Sequence, residues 1–164
     1  MGKITAPEPL TPAHRINDFD CGEESLDFWL KKYAFRNEAA GASRTFVVCS
    51  DQQIIGYYAL AAGSVAQQGA PGKVKRKMPD PIPVMVLGRL AVDKRWQAKG
   101  IGRGLLKDAL LRTLAVASQV GIRAIMVHAL SGKAKEFYLC HGFSESPIDP
   151  LTLMLRLQDI RLPQ

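Results

Sequence analysis

The junction at residues 90–102 constrains the fold more than any other segment. Leu90, Ala91 and Val92 are typical of a buried strand end, and Gly100 and Gly102 follow in a Gln-x-x-Gly-x-Gly turn that opens a helix. Glycine lets the backbone approach an anion closely, and the first amides of a helix have no intrahelical acceptor. The helix dipole adds partial positive charge at the same end. The junction therefore predicts a strand, a pyrophosphate-binding turn and a helix, with further charge supplied by Lys94, Arg95, Lys99 and Arg103.

Apolar spacing predicts the remaining elements. Leu26, Trp29, Leu30 and Tyr33 form one helical stripe, and Gly41 ends that helix. The predicted helices span residues 22–39, 101–119 and 131–140, and the predicted strands span residues 44–50, 54–63, 84–92, 122–128 and 151–157. Residues 64–81 are rich in glycine, proline and charge, which predicts a loop. This order predicts one α/β domain over residues 1–164, with a mixed sheet and helices on both faces.

Two motifs carry a resemblance to a known family. The first is the strand followed by Gln97-x-x-Gly100-x-Gly102, and the second is Ala134-x-x-Phe137-Tyr138-x-x-x-Gly142-Phe143. With both, the chain resembles the GCN5-related N-acetyltransferases (GNAT). Within that superfamily it is similar to the toxin acetyltransferases of bacterial type II toxin–antitoxin modules, in the segments at residues 45–48, 78–84, 89–93 and 123–129. The resemblance implies an α+β fold, a single GNAT domain with a central, mixed, mostly antiparallel twisted sheet.

The resemblance also implies acetyl-CoA as co-substrate and no metal. It implies that the pantetheine arm hydrogen-bonds, like an added strand, to the backbone of Leu90, Ala91 and Val92. Pyrophosphate contacts are implied for Gln97, Ala98, Lys99, Gly100, Ile101, Gly102 and Arg103. Tyr138 is implied as the general acid that protonates the departing thiolate, and the alternative is that Tyr138 only packs as a core aromatic.

A general base is not evident in the sequence. Asp93 at the end of the coenzyme strand, Glu136 on the short helix and His128 at a strand end are three alternatives. Each is equally explained as a solvated or structural residue. The α-amine of an aminoacyl ester is less basic than a lysine amine, because the neighbouring acyl group withdraws electrons. Water alone is therefore a fourth alternative.

The charge balance favours an anionic partner. The formal net charge is +7, and clustered Lys and Arg side chains bind nucleic acid through counterion release. With the toxin resemblance, we interpret the basic residues as a tRNA-binding set, and a solvated surface is the alternative for each of them. The set contains Lys31, Lys32, Arg36, Arg44, Lys73, Lys75, Arg76, Lys77 and Arg89.

Cysteine usage and hydropathy narrow the class of protein. Cys21, Cys49 and Cys140 have spacings that fit neither a disulfide framework nor a zinc finger, so we expect each to be a small buried apolar residue. The amino-terminal prolines interrupt any signal-peptide pattern, and no apolar run approaches the length of a membrane span. A cytoplasmic protein without a membrane segment is expected.

The toxin resemblance implies a specific function. The enzyme would acetylate the α-amino group of aminoacyl-tRNA and inhibit translation. A ribbon-helix-helix antitoxin is implied as partner, with operator DNA contacted only through the antitoxin complex, in which the toxin acts as transcription corepressor. A homodimer is also implied. Two alternatives remain open: an acetyltransferase for a protein or small-molecule amine, and a catalytically silent module that binds acyl-CoA or nucleic acid.

Overall fold

The computed structural model describes residues 3–162 of the chain. Seven strands are hydrogen-bonded in the order β1-β2-β3-β4-β5-β7-β6. The strands are β1 (Glu8–Pro9), β2 (Arg44–Ser50), β3 (Gln53–Val65), β4 (Ile82–Val92), β5 (Ala124–His128), β6 (Ser144–Glu145) and β7 (Thr152–Arg156). The helices are α1 (Glu24–Lys32), α2 (Ala34–Ala40), α3 (Gly72–Lys75), α4 (Ile101–Ala117) and α5 (Gly132–Leu139). No helix among the described residues is long and apolar enough to cross a membrane.

The strand pairing confirms a mixed, mostly antiparallel sheet. β4 and β5 are parallel, whereas β1–β2, β2–β3, β5–β7 and β6–β7 are antiparallel. The contacts divide the chain into two compact units. The first contains the described residues up to Ala61 together with Arg89–Ala109, and the second contains Ala62–Gly88 together with the described residues from Leu110 onward. The single domain expected over residues 1–164 stays a prediction.

In the first unit, helices cover both faces of β3. Trp29 of α1 stacks on Tyr57, with ring centroids 6.0 Å apart, and the Tyr57 hydroxyl donates to the Leu26 carbonyl at 2.7 Å. The next residue, Tyr58, bonds through its hydroxyl to the Asp108 carboxylate of α4. Because successive side chains of a strand point to opposite faces, α1 and α4 lie on opposite sides of β3.

Close approach explains one glycine of β3. A Cβ atom at Gly56 would lie 3.1 Å from Leu105 Cδ1 and 3.2 Å from Ile101 Cγ2, both on α4. These distances are shorter than ordinary van der Waals contact, so a side chain at this position would displace the start of α4. Gly56 therefore fixes where the amino-terminal end of α4 lies on the sheet.

The second unit has its own apolar core. Ser131 begins α5 as predicted, because its hydroxyl accepts a hydrogen bond from the Ala134 amide at 3.2 Å. Tyr138 of α5 packs against Phe143, with ring centroids 5.3 Å apart. This core is formed by residues of β4, β5, β7 and α3 and by one residue just before α3, and it contains Ala70, Val74, Ile82, Val84, Ala124, Met126 and Met154.

Three expectations about local structure are wrong. The helix predicted over residues 22–39 is two helices separated at Tyr33, whose φ of −114° and ψ of −22° depart from ordinary helical values. Part of the loop predicted over residues 64–81 is ordered as the end of β3 and as α3, which Val74 anchors in the core. Cys140 is exposed rather than buried.

Candidate functional site

The turn between β4 and α4 has the backbone geometry that its sequence predicts. Two residues of the turn adopt left-handed conformations, Ala98 with φ 62° and Gly100 with φ 85°. The first i-to-i−4 hydrogen bond of the helix runs from the Gly104 amide to the Gly100 carbonyl at 3.1 Å. The amides of Ile101 and Gly102 therefore precede the intrahelical ladder and can donate to an anion.

The space beside Gly100 and Gly102 is open. A Cβ atom at Gly102 would meet only Val92 Cγ2, at the ordinary contact distance of 3.8 Å, and one at Gly100 would meet nothing within 4 Å. The chain itself leaves this side of the turn unfilled. The exposed Lys99 side chain adds a positive charge to the same turn.

The buried carboxylate of Asp93 stabilises the turn between β4 and α4. Asp93 is fully buried, and its carboxylate accepts hydrogen bonds from the Arg95 amide at 2.9 Å, Arg95 Nε at 3.0 Å and the Asp20 amide at 3.1 Å. Lys94 Nζ forms an ion pair with Asp20 Oδ2 at 2.9 Å. Residues 18–21, which precede α1, are therefore bound to the turn between β4 and α4 through Asp93 and its neighbours.

These contacts change three of the predicted roles. Lys94 and Arg95 are paired with Asp20 and Asp93 and do not supply free charge to the turn, as the sequence had suggested. The Gln97 side chain donates to the carbonyls of Cys21 at 3.0 Å and Val92 at 2.9 Å. Its side chain thus holds the turn together, and contact with pyrophosphate through the Gln97 backbone stays a prediction.

The electrostatics of Asp93 argue against a role as general base. Burial acts to raise the pKa of this carboxyl, but the hydrogen bonds from the Arg95 side chain, the Arg95 amide and the Asp20 amide outweigh it and hold the pKa below its usual value. The ionised carboxylate has its lone pairs committed to these donors. Asp93 is therefore a structural anion.

Tyr138 lies on α5 with its ring buried and its hydroxyl unengaged. The side chain is only 7% exposed, and its ring contacts Phe137 and Phe143 at centroid distances of 5.2 Å and 5.3 Å. Burial raises the pKa of the Tyr138 hydroxyl above its usual value, so the group keeps its proton over the physiological range. No residue in the described range 3–162 hydrogen-bonds to that hydroxyl. Packing and proton donation are thus compatible at this position.

Glu136 and His128, the other two candidates for the general base, differ in their surroundings. Glu136 is exposed on α5, and its carboxylate makes no hydrogen bond or ion pair within the described part of the chain. His128 is exposed at the end of β5, and its Nδ1 atom lies 2.9 Å from Thr152 Oγ1. Only His128 is therefore held in one orientation by a neighbouring side chain.

One of the basic residues near α1 and α2 is already paired with a carboxylate. Lys31 and Lys32 are exposed in the last turn of α1, and Arg36 is exposed on α2 with its guanidinium 5.4 Å from the Tyr33 ring centroid. Arg44 instead forms an ion pair with Glu38 at 2.7 Å and also donates to the Glu38 carbonyl at 2.9 Å. The structure thus makes Arg44 a tie between α2 and β2, which weakens its assignment to the tRNA-binding set.

Arg123, which is not in the predicted tRNA-binding set, positions the basic residues around α3. Arg123 donates through Nε to the Val74 carbonyl at 2.9 Å and through Nη2 to the Lys73 carbonyl at 2.8 Å. These bonds satisfy carbonyls at the carboxyl end of α3, where a positive charge is favourable. The α3 cluster, which we define as the exposed side chains around this helix, consists of Lys73, Lys75, Arg76 and Lys77.

Arg89 on β4 differs from the other basic residues. Its guanidinium lies 4.6 Å from the ring centroid of Trp29, in a cation–π arrangement, and the side chain is half-buried. Within residues 3–162 it forms no ion pair with a carboxylate. Trp29 therefore fixes a cation whose hydrogen-bond donors are not used inside the chain. The sequence indicated the charge of Arg89 but gave no signal of this stacking.

One group of residues has the composition of a metal site. Ligand atoms of Glu8, His14 and Cys49 lie within 4.8 Å of one another. However, His14 Nδ1 accepts a hydrogen bond from the Thr11 amide at 2.9 Å, so the ring proton lies on Nε2, which donates to Glu8 Oε1 at 2.8 Å. Burial, with the nearby Glu8 charge, raises the pKa of the Cys49 thiol to about 11. A protonated nitrogen and a neutral thiol make this a structural hydrogen-bond network.

Comparison with known proteins identifies the family. The acetyltransferase (GNAT) domain family matches residues 41–145. The chain belongs to the GNAT acetyltransferases. It is 48% identical over 161 residues, covering 98% of this chain and 97% of the other, to a protein of Mycobacterium tuberculosis (strain ATCC 25618 / H37Rv) named tRNA-acetylating toxin. The predicted resemblance to GNAT toxins is confirmed.

Solved structures of similar proteins have the same fold. A KacT mutant is 30% identical, with a TM-score of 0.89 over 94% of this chain and 95% of that chain. AtaT complexed with acetyl-methionyl-tRNAfMet is 30% identical, with a TM-score of 0.88 over 95% and 96% of the two chains. AtaTR bound with acetyl-CoA is 31% identical, with a TM-score of 0.82 over 94% of each chain. The GNAT fold predicted from the sequence is thereby confirmed.

Further neighbours include complexes with macromolecular partners. An AtaT mutant bound to the C-terminus of the antitoxin AtaR is 28% identical, with a TM-score of 0.80 over 94% of each chain. A KacTA–DNA complex is 30% identical, with a TM-score of 0.78 over 95% and 94% of the two chains.

Proposed function

We propose that this acetyltransferase is the toxin of a type II toxin–antitoxin module, which transfers acetyl from acetyl-CoA to the α-amino group of aminoacyl-tRNA and thereby inhibits translation. The observation that carries the proposal is the 48% identity, over 98% of the chain, to a tRNA-acetylating toxin. The similarity to AtaT, which has been solved with acetyl-methionyl-tRNAfMet, supports the same substrate class.

The turn before α4 is proposed to bind the pyrophosphate of the coenzyme. The first amides of α4 and the Lys99 charge would neutralise it, and the backbone of Leu90, Ala91 and Val92 would bind the pantetheine arm. The left-handed Gly100 and the open side of Gly102 support this assignment. Asp93 would act only indirectly, by keeping the turn in shape.

Tyr138 is proposed to supply the proton for the departing thiolate. The amine nitrogen forms a bond to the acetyl carbonyl carbon, the carbon–sulfur bond breaks, and the sulfur takes the phenolic proton. The nitrogen releases one proton in return, and that proton restores the Tyr138 phenol. Three features support this role: the hydroxyl has no partner in the described part of the chain, burial raises its pKa, and the ring contacts hold it in place.

The exposed basic residues of both units are proposed to bind the tRNA backbone. Lys31, Lys32, Arg36, Arg89 and the α3 cluster offer side chains whose charge is not paired within the described residues. Each phosphate contact of this kind releases counterions, so binding should weaken as salt rises. Arg44 is the weakest member of the predicted set, because Glu38 already neutralises it.

The partner assignments follow the toxin proposal. We propose that a ribbon-helix-helix antitoxin covers the exposed basic residues and that the toxin contacts operator DNA only within that complex. We also propose that the toxin is a homodimer. The structures of AtaT with the antitoxin AtaR and of KacTA with DNA support a partner of this class. We also propose that the protein acts in the cytoplasm, where charged tRNA is used.

Transfer of labelled acetyl from acetyl-CoA to total charged tRNA tests the proposal. Deacylated tRNA is the substrate control, and Tyr138→Phe is the matched protein control because it removes only the hydroxyl. We expect label on charged tRNA alone, and a loss of about 10²-fold or more in the variant with coenzyme binding retained. Label on protein or small amines, with none on charged tRNA, would favour the alternative acetyltransferase. Full activity of Tyr138→Phe would remove Tyr138 from the mechanism.

A further inference from the structure

A chain of hydrogen bonds orients His128. His128 ends β5 and is paired in register with Thr152 of β7. Its Nδ1 atom lies 2.9 Å from Thr152 Oγ1, and Thr152 Oγ1 donates to Asp149 Oδ2 at 2.7 Å. Asp149 is itself fixed by the Leu151 amide, which donates to its other oxygen at 3.0 Å. The three side chains form a linear series from a carboxylate to an imidazole.

The series determines which nitrogen of His128 carries the proton. An ionised carboxylate only accepts hydrogen bonds, so the single hydroxyl proton of Thr152 points to Asp149. The hydrogen bonds from Thr152 and Leu151 lower the pKa of the Asp149 carboxyl and keep it ionised. Thr152 Oγ1 can then only accept from His128, which requires the proton on Nδ1. In the neutral ring, Nε2 is left with a free lone pair.

Neither of the other histidines is held by a carboxylate-anchored hydroxyl. His14 has its proton on Nε2 and uses both nitrogens inside the chain. His141 donates from Nδ1 to the Phe137 carbonyl at 2.8 Å, which satisfies a carbonyl near the end of α5. His128 is exposed, and its Nε2 atom has no partner within residues 3–162. Among the three, only His128 presents a free acceptor whose orientation a buried side chain fixes.

We infer that His128 is the general base of acetyl transfer, and that Thr152 and Asp149 are its positioning residues. The inference rests on the proposed function. As the amine nitrogen bonds to the acetyl carbon, the nitrogen loses one proton to His128 Nε2, while the sulfur gains one proton from Tyr138. The proton on His128 then returns through water to the Tyr138 phenolate, so both side chains end as they began. The products are the acetylated amine and the free thiol.

His128→Asn separates the base from the hydrogen bonds around it. The asparagine Nδ2 group can replace Nδ1–H as donor to Thr152, whereas nothing replaces the Nε2 acceptor. Under single-turnover conditions with charged tRNA, we expect the transfer rate to fall about 10²-fold with acetyl-CoA affinity unchanged. His141→Asn is the matched control, because it makes the same substitution at a histidine with the same Nδ1 donor role, and it should react at the wild-type rate.

Two further measurements distinguish a general base at His128 from a residue that only stabilises the fold. His128→Gly should lose activity and regain part of it as imidazole is added, whereas His128→Asn, with the space still occupied, should not. Thr152→Val removes the hydroxyl but keeps the shape, and it should lower kcat about 10-fold with KM unchanged. Thr152→Ser should restore kcat, because it restores the hydroxyl.

The outcomes separate this inference from the proposed function. If wild-type protein does not acetylate charged tRNA, the proposed function fails. If it does, and His128→Asn reacts at the wild-type rate, His128 is not the base and this inference alone is overturned. An equal loss in His141→Asn, or no response of His128→Gly to imidazole, would also overturn it.

Discussion

Replacing Asp93 by Asn should destabilise the protein at neutral pH. The carboxylate is fully buried and accepts from the Arg95 amide, the Arg95 side chain and the Asp20 amide. A carboxamide of the same shape offers one acceptor oxygen and places an NH₂ group against donors on the other side. Arg95 is exposed enough to turn to water, so the main cost is the Asp20 amide left without an acceptor. We expect a loss of about 2 kcal/mol in the free energy of unfolding.

The pH dependence of that loss follows from the direction of the pKa shift. The pKa of Asp93 is lower in the folded than in the unfolded chain. Its stabilisation is therefore fully present above the unfolded value of about 3.9 and is lost as pH falls through the folded value. The difference between wild type and Asp93→Asn should be constant between about pH 5 and pH 7 and shrink below about pH 4.

Urea denaturation of both proteins across this pH range is the assay. Asp20→Asn is the matched control, because the Asp20 side chain is half exposed and its ion pair with Lys94 lies at the surface. That variant should unfold at nearly the same urea concentration as the wild type, because an exposed ion pair contributes little to stability. Equal losses in the two variants, or a loss in Asp93→Asn that persists unchanged at pH 3, would refute the argument that the buried carboxylate carries the stabilisation.

Three further predictions concern the turn before α4 and the basic residues around α3. Gly100→Ala should cost about 1 kcal/mol of stability and weaken acetyl-CoA binding, because φ 85° is unfavourable for alanine; thermal unfolding and coenzyme titration check it. Arg123→Met should lower tRNA affinity without changing acetyl-CoA affinity, since it frees the carbonyls of α3, and unchanged tRNA binding would contradict this. The double reversal Lys75→Glu with Arg76→Glu should reduce tRNA binding about 10-fold or more and flatten its salt dependence, whereas Lys107→Glu on α4 should match wild type in the same filter-binding titrations.

Local signals in the sequence were sufficient for most elements. The glycine turn, the Ser131 cap and the strands β2 and β3 depend on neighbouring residues, and each lies within two residues of its predicted position. The break at Tyr33 is an exception. Its φ of −114° interrupts a regular helical stripe, and no glycine or proline near Tyr33 signals the break.

The site was less predictable from the sequence, because the sequence shows which residues are charged but not which of them are already paired with another residue of the chain. Lys94 and Arg95 have the sequence context of phosphate-binding residues, yet Asp20 and Asp93 neutralise them. Asp20 lies 73 residues from Asp93, a separation over which the sequence alone indicates no contact. The proton position on His128 likewise depends on Thr152, which becomes its neighbour only when β5 and β7 pair.

The contact between Arg89 and Trp29 has a spectroscopic consequence. Trp29 is one of only two tryptophans in the chain, and its ring contacts both the Arg89 guanidinium and the Tyr57 ring. Its fluorescence is sensitive to a charge held 4.6 Å from the ring. An RNA phosphate that binds Arg89 would therefore change the emission of Trp29. With Trp96 replaced by Phe, the unlabelled protein would report RNA binding at this point of its surface directly and in real time.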